Sequence, residues 1–126
     1  MPLVRIDLRK GRSSFQRQAI GNAVYRAMRE TFNVPDEDRF TIINEHEPDN
    51  FSFSKTYLNI ARSDELVIIQ VTANNTRTIE QKKAFFKRTA DLLAENPGLR
   101  REDVFISLVE VGKENWSFGN GIAQYA

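Results

Sequence analysis

Apolar and polar residues alternate from Leu3 to Leu8 with the period of a half-buried strand, and Pro2 stands at the tip of that strand. The period then lengthens. Phe15, Ala19, Ile20, Ala23, Val24, Ala27, Met28 and Phe32 recur at helical spacing behind a capping Ser13 or Ser14, which predicts a helix ending near Asn33, ahead of Pro35. Phe40 to Asn44 reads as a returning strand. The same order follows again. Leu66 to Thr72 is a nearly continuous apolar run, the kind expected of a strand buried on both faces. Thr78 is placed to cap a helix through about Glu95, with Ala84, Phe85, Thr89, Leu92 and Leu93 on one side and Asn96, Pro97 and Gly98 stopping it. Val104 to Val109 is the last predicted strand.

The two halves align without a gap at an offset of 65 residues. Arg12 falls on Arg77, Ser13 on Thr78, Gln16 on Gln81, Ala19 on Ala84, Glu37 on Glu102, Asp38 on Asp103, Phe40 on Phe105 and Glu45 on Glu110. Seven of these eight pairs are identities, and the apolar positions agree in register, which points to a tandem duplication. The expected organisation is a single domain over 1–126, with repeat halves of about 2–47 and 66–112 and a C-terminal extension 113–126. Crossovers of this length imply parallel pairing within each half and right-handed connections. The fold class is therefore α/β (α+β): two β-α-β units forming a four-stranded sheet with two helices on one face. The opposite face is expected to expose a large apolar patch, which oligomerisation would cover. The connector from Glu47 to Asp64 carries Phe51, Phe53 and Tyr57 and predicts a short hairpin plus a turn at an oligomer edge.

Composition narrows the function. Eighteen basic and seventeen acidic residues leave a net charge of +1, so no nucleic-acid or membrane partner is indicated. The chain has no cysteine, which removes thiolate catalysis, disulfides and zinc ribbons. The single His46 has no second histidine to support a metal site and reads as a surface or interface residue. No apolar window approaches the length of a membrane span, and a cytoplasmic location is expected. The run Lys82, Lys83, Lys87, Arg88 reads as the solvated face of its helix.

Pro2 carries the candidate chemistry. With Met1 removed it becomes a secondary amine, and an α-amino group titrates near pH ~8, lower when apolar burial disfavours the cation. With Met1 retained the same nitrogen is an amide without basicity. Pro2 and Leu3, then Val34, Pro35, Asp38 and Arg39, then Arg62, Ser63 and Asp64, then Arg77, Thr78, Glu80, Gln81 and Lys82, and finally Trp116, Ser117, Phe118, Gly119, Asn120 and Gly121 together resemble the tautomerase superfamily. Within it the chain is most similar to the malonate semialdehyde decarboxylase group, over essentially its whole length.

The resemblance implies a homotrimer and a cofactor-independent site, with no metal, for a small carboxylated substrate. It casts Pro2 as the proton carrier, Asp38 as its partner or a water activator, and Arg77 as the carboxylate anchor. Asp38 is equally placed as a structural turn residue, since its repeat mate Asp103 shares the position, and Arg77 as a loop arginine, since Arg12 matches it. Trp116 and Phe118 resemble the apolar wall around the proline, with Asn120 and Tyr125 as further contacts and Gly119 and Gly121 shaping a tight hairpin. Asn75 falls where the group's decarboxylases carry a second arginine. That departure weakens decarboxylation more than it weakens keto-enol exchange. The expected activity is keto-enol tautomerisation of a small 2-oxo or carbonyl acid, an isomerase reaction. The alternatives are a lyase activity at the same site, decarboxylase or hydratase, and a catalytically silent trimeric ligand-binding or scaffold protein.

Overall fold

A computed structural model describes residues 2–126; the removal of Met1 concerns a residue outside that range. The elements are β1 (Pro2–Arg9), α1 (Ser14–Phe32), β2 (Thr41–His46), β3 (Val67–Asn74), α2 (Ile79–Glu95) and β4 (Val104–Val111). Both helices begin with the same device. Ser13 and Thr78 each accept the N–H of the residue three positions on, Gln16 or Gln81, whose side chain accepts the capping residue's N–H in return. Each reciprocal cap satisfies two otherwise orphaned donors, and loss of such a capping residue costs about 1 kcal/mol. At its far end α1 stops on Asn33 in the left-handed conformation, φ 54°.

The strand order is β2-β1-β3-β4. β1 and β2 run parallel, as do β3 and β4, while β1 and β3 join the halves antiparallel with Pro2 opposite Ala73 and Leu8 opposite Val67. Antiparallel joining sends the end of each half's first strand to the start of the other's. Ile6, Leu8, Ile69 and Val71 point at Ile20, Val24, Phe85 and Leu93 of the helices to form the core. Phe32 and Phe85 stack at 4.8 Å between ring centres where the helices meet.

Four expectations change within the single chain. β3 buries Val67, Ile69, Val71 and Ala73, but Gln70 is exposed and Ile68 and Thr72 are half-buried, so only one of its faces is covered. The bare face is correspondingly mixed rather than one apolar patch: Ile42, Arg5, Gln70 and Ser107 form one row across the strands, and Asn44, Asp7, Ile68 and Phe105 the next. His46 sits there half-buried, 2.6 Å from Asp7 and stacked on Phe51. The connector contains no strand; Pro48–Asn50 and Tyr57–Asn59 are single 3-10 turns, because Pro48 fixes one and positive φ at Leu58 and Asn59 shapes the other. The C-terminal glycine segment is likewise turn without strand pairing, with Gly119, Asn120 and Gly121 all at positive φ. Among the described residues no helix is long and apolar enough to cross a membrane.

Candidate active site

Pro2 opens β1 and is buried on the helix-facing side of the sheet, opposite Ala73. Ala73 is also opposite Glu110 of β4, so Pro2, Ala73 and Glu110 form one row across three strands. Beside that row the chain leaves β3 and reaches Arg77, the residue before the cap of α2. Arg77 donates from Nη2 to the carbonyl of Phe32 at 3.2 Å, and its guanidinium lies 5.0 Å from the centre of the Phe32 ring. Those two contacts hold a half-buried cation against the end of α1. Asp38 lies in the turn before β2, which is tied to β1 by the Val4 N–H donating to the Phe40 carbonyl.

Asp38 and Arg77 feel one another's charge. Burial pushes the Asp38 carboxyl above its ordinary value, and Arg77 partly offsets that. Burial lowers the Arg77 guanidinium, opposed by Asp38. Desolvation therefore dominates both groups, as it does where a site excludes water. The structure thus brings Pro2, Asp38 and Arg77 to one end of the sheet.

The remaining residues divide. Trp116 donates its indole N–H to Asn74 Oδ1 at 2.8 Å, stacks on Phe118 at 5.5 Å, and Phe118 meets Tyr125 edge-on at 4.9 Å. This aromatic group is fastened to the residue next to Ala73, by strand alternation on the opposite face. Asn75 is exposed, and its backbone N–H donates to the Val111 carbonyl. Asn120 serves the turn through its positive φ.

Three residues make contacts that the sequence did not assign. Asn74 is 7 % exposed at the end of β3 and carries Trp116. Lys82 does not lie free on a solvated helix face but bonds Glu110 at 2.6 Å, and both line the same small cleft as Phe32, Ala73 and Arg77. Arg88 likewise leaves the solvated face to pair with Glu30 of α1. The match of Glu45 with Glu110 was the only sign in the sequence that position 110 matters.

Residues 38–119 match a sequence family described as tautomerase enzyme, and residues 2–61 match a second family of the same description. Probable tautomerase YusQ of Bacillus subtilis (strain 168) is 43% identical over 124 residues, 98% of each chain. The crystal structure of FG41 malonate semialdehyde decarboxylase inhibited by 3-bromopropiolate is similar at TM-score 0.91 and 41% identity, covering 98% of this chain and 93% of that one. A second malonate semialdehyde decarboxylase, described with decarboxylase and hydratase activities, is similar at TM-score 0.92 and 33% identity, covering 98% and 95%. A fused 4-OT, solved as a symmetric trimer, shares the fold at 18% identity and TM-score 0.80, covering 98% of this chain and 97% of that one.

Proposed function

The chain belongs to the tautomerase family, and from that we propose that it interconverts the keto and enol forms of a small 2-oxo acid, using Pro2 as the acid-base group after Met1 is removed. The observation that carries this reading is the meeting of Pro2, Asp38 and Arg77 at one end of the sheet. Arg77 binds the substrate carboxylate and stabilises enolate charge. Pro2 takes the proton from the carbon beside the carbonyl and returns it to the other terminus of the enol, so no net proton is gained or lost. Its ring fixes the direction of the lone pair. Asp38 holds the prolinium between those steps; Trp116 and Phe118, fastened to the opposite face of their own chain, take no part in the site of that chain.

The cleft among Phe32, Ala73, Arg77, Lys82 and Glu110 is only about 10 Å³, room for a water and not for a three-carbon acid. Room for substrate then comes from association with further copies, and the proposed assembly is a homotrimer like the fused 4-OT. The likeness to two malonate semialdehyde decarboxylases favours a second reading, decarboxylation or hydration of a small β-keto acid at the same site. Asn75 in place of a second arginine makes that the lesser activity.

Pro2→Ala leaves a primary amine without the ring and is expected to lower enol-keto turnover of an aryl or carboxyl pyruvate by ~10²-fold, the usual contribution of a positioned acid-base group. Full activity in Pro2→Ala, or a retained Met1 in the intact mass of the active protein, would overturn the proline mechanism.

A further inference from the structure

The antiparallel joining of β1 to β3 gives the sheet a second end built from the same parts. At the first end stand Pro2, Asp38 and Arg77; 65 residues along, Val67, Asp103 and Arg12 stand in the same relation at the other. Arg12 directly precedes the capping Ser13 as Arg77 precedes Thr78, and Asp103 leads into β4 as Asp38 leads towards β2. Both arginines are half-buried, and the Arg12 side chain is only 8 % exposed.

The second end differs in what the groups hold. Val67 follows Leu66, so its nitrogen is a peptide amide and cannot take the part of a proline amine. Asp103 is fully buried and accepts from Ser63 twice, from the N–H at 2.7 Å and from the hydroxyl at 2.6 Å. Ser63 in turn accepts the Glu65 N–H on Oγ at 3.1 Å, which fixes the backbone of Glu65 beside Arg12. Arg12 Nη2 donates to the Glu65 carbonyl and lies 2.9 Å from Glu65 Oε2. A carboxylate of this chain therefore already sits on the arginine that matches the anchor of the first end. Around it lies an open cleft of about 390 Å³, lined by Arg12, Gln16, Glu65, Leu99, Arg100 and Asp103, with room for a small acid; Arg100 there is held by Glu102 at 3.1 Å and Asp103 at 3.6 Å, which leaves Arg12 as the anchor.

We propose that this end of the sheet is a second binding site for small carboxylates, without acid-base chemistry, which Glu65 closes by standing in for the ligand's carboxylate. The choice of ligand rests on the reading of Arg77 as the substrate anchor. A tethered carboxylate is present at all times at high effective concentration, so a free acid must compete with it. Removing it opens the site. The Glu65 side chain is 68 % exposed, so its replacement opens no core cavity, and Arg12 keeps its hydrogen bond to the Glu65 backbone carbonyl in any variant at that position.

The test is calorimetric titration of the full assembly with pyruvate, counting equivalents per chain. The wild type should bind one, and Glu65→Gln two, with enol-keto turnover unchanged. Glu65→Ala, which leaves nothing to refill the position, should also bind two. In Arg77→Ala the first equivalent should vanish, and Arg77→Ala with Glu65→Gln should recover one, seen in soaked crystals with its carboxylate on Arg12. If neither Glu65→Gln nor Glu65→Ala adds an equivalent, the second site does not exist. If Arg77→Ala keeps the wild-type equivalent while Glu65→Gln still adds one on Arg12, the reading of Arg77 fails and the second site stands.

Discussion

Trp116 and Asn74 are 42 residues apart in the chain, yet the indole N–H meets the amide oxygen at 2.8 Å. That bond is the point at which the C-terminal aromatic group is attached to the sheet. Asn74→Leu should leave the half-buried indole N–H without its acceptor and cost about 1 kcal/mol or somewhat more. Trp116 is the only tryptophan, so its fluorescence reports the segment alone. The emission should move to the red as Trp116 and Phe118 detach, while the far-ultraviolet circular dichroism keeps the signal of α1 and α2. An unmoved emission maximum would mean that the stack on Phe118 suffices without Asn74.

The Lys82 and Glu110 pair bears on which reaction the site favours. Lys82 lines the same cleft as Arg77, but Glu110 holds its ammonium at 2.6 Å. A decarboxylase that binds the departing carboxylate uses a second cation, and Glu110 offsets the charge of Lys82. Glu110→Gln should free it, raising kcat/KM for a β-keto acid by about tenfold, the scale of one charge-assisted hydrogen bond. Keto-enol turnover of a monocarboxylate should change less. Equal changes for the two substrates would show that Lys82 does not reach the substrate.

Much of this architecture was legible because it is local. Ser13 with Gln16 and Thr78 with Gln81 mark both helix starts in four residues, and the 65-residue offset aligns β1 with β3 end for end. Pro2, Asp38 and Arg77 could be singled out because a family motif selects them. The pairs Asn74 with Trp116 and Lys82 with Glu110 could not, since each joins elements far apart in the chain, Trp116 beyond the end of β4 to β3 and Lys82 on α2 to β4. Period alone also misjudged β3: Gln70 is one polar residue in an apolar run, but it lies in the row with Arg5 and Ser107 and helps make the bare face mixed. The connector misled for a conformational reason, because left-handed Leu58 and Asn59 are not legible from residue type.

The mixed face still argues for assembly. Phe105, Ile42 and Val109 are exposed on it, and Tyr57, Leu58 and Ile122 are exposed on the connector and the C-terminal segment, outside the repeat. Light scattering should report three chains. Polar residues in the rows make the association sensitive to single charges: Phe105→Glu should shift the species towards monomer and lower turnover with it, since the small cleft of one chain has no room for substrate. A monomeric Phe105→Glu with full activity would separate assembly from catalysis.

Asp38 links stability to the proposed chemistry. Burial raises its carboxyl above the ordinary value of 3.8, with the positive charge of Arg77 only partly opposing the shift. The folded protein therefore holds this proton more tightly than the unfolded chain does. Below both values the group is protonated in either state and contributes nothing to the balance. As pH rises from the unfolded value through the raised folded one, the unfolded chain releases its proton first, so the contribution to stability falls and stays lower above the window. Asp38→Asn keeps the shape and cannot ionise. Its Tm should match the wild type at about pH 3 and exceed it at about pH 7, while keto-enol turnover at pH 7 falls because the prolinium loses its partner. A variant less stable at pH 7 would show that the carboxylate is a structural support of the β2 turn, the role its repeat mate Asp103 performs at the other end through Ser63.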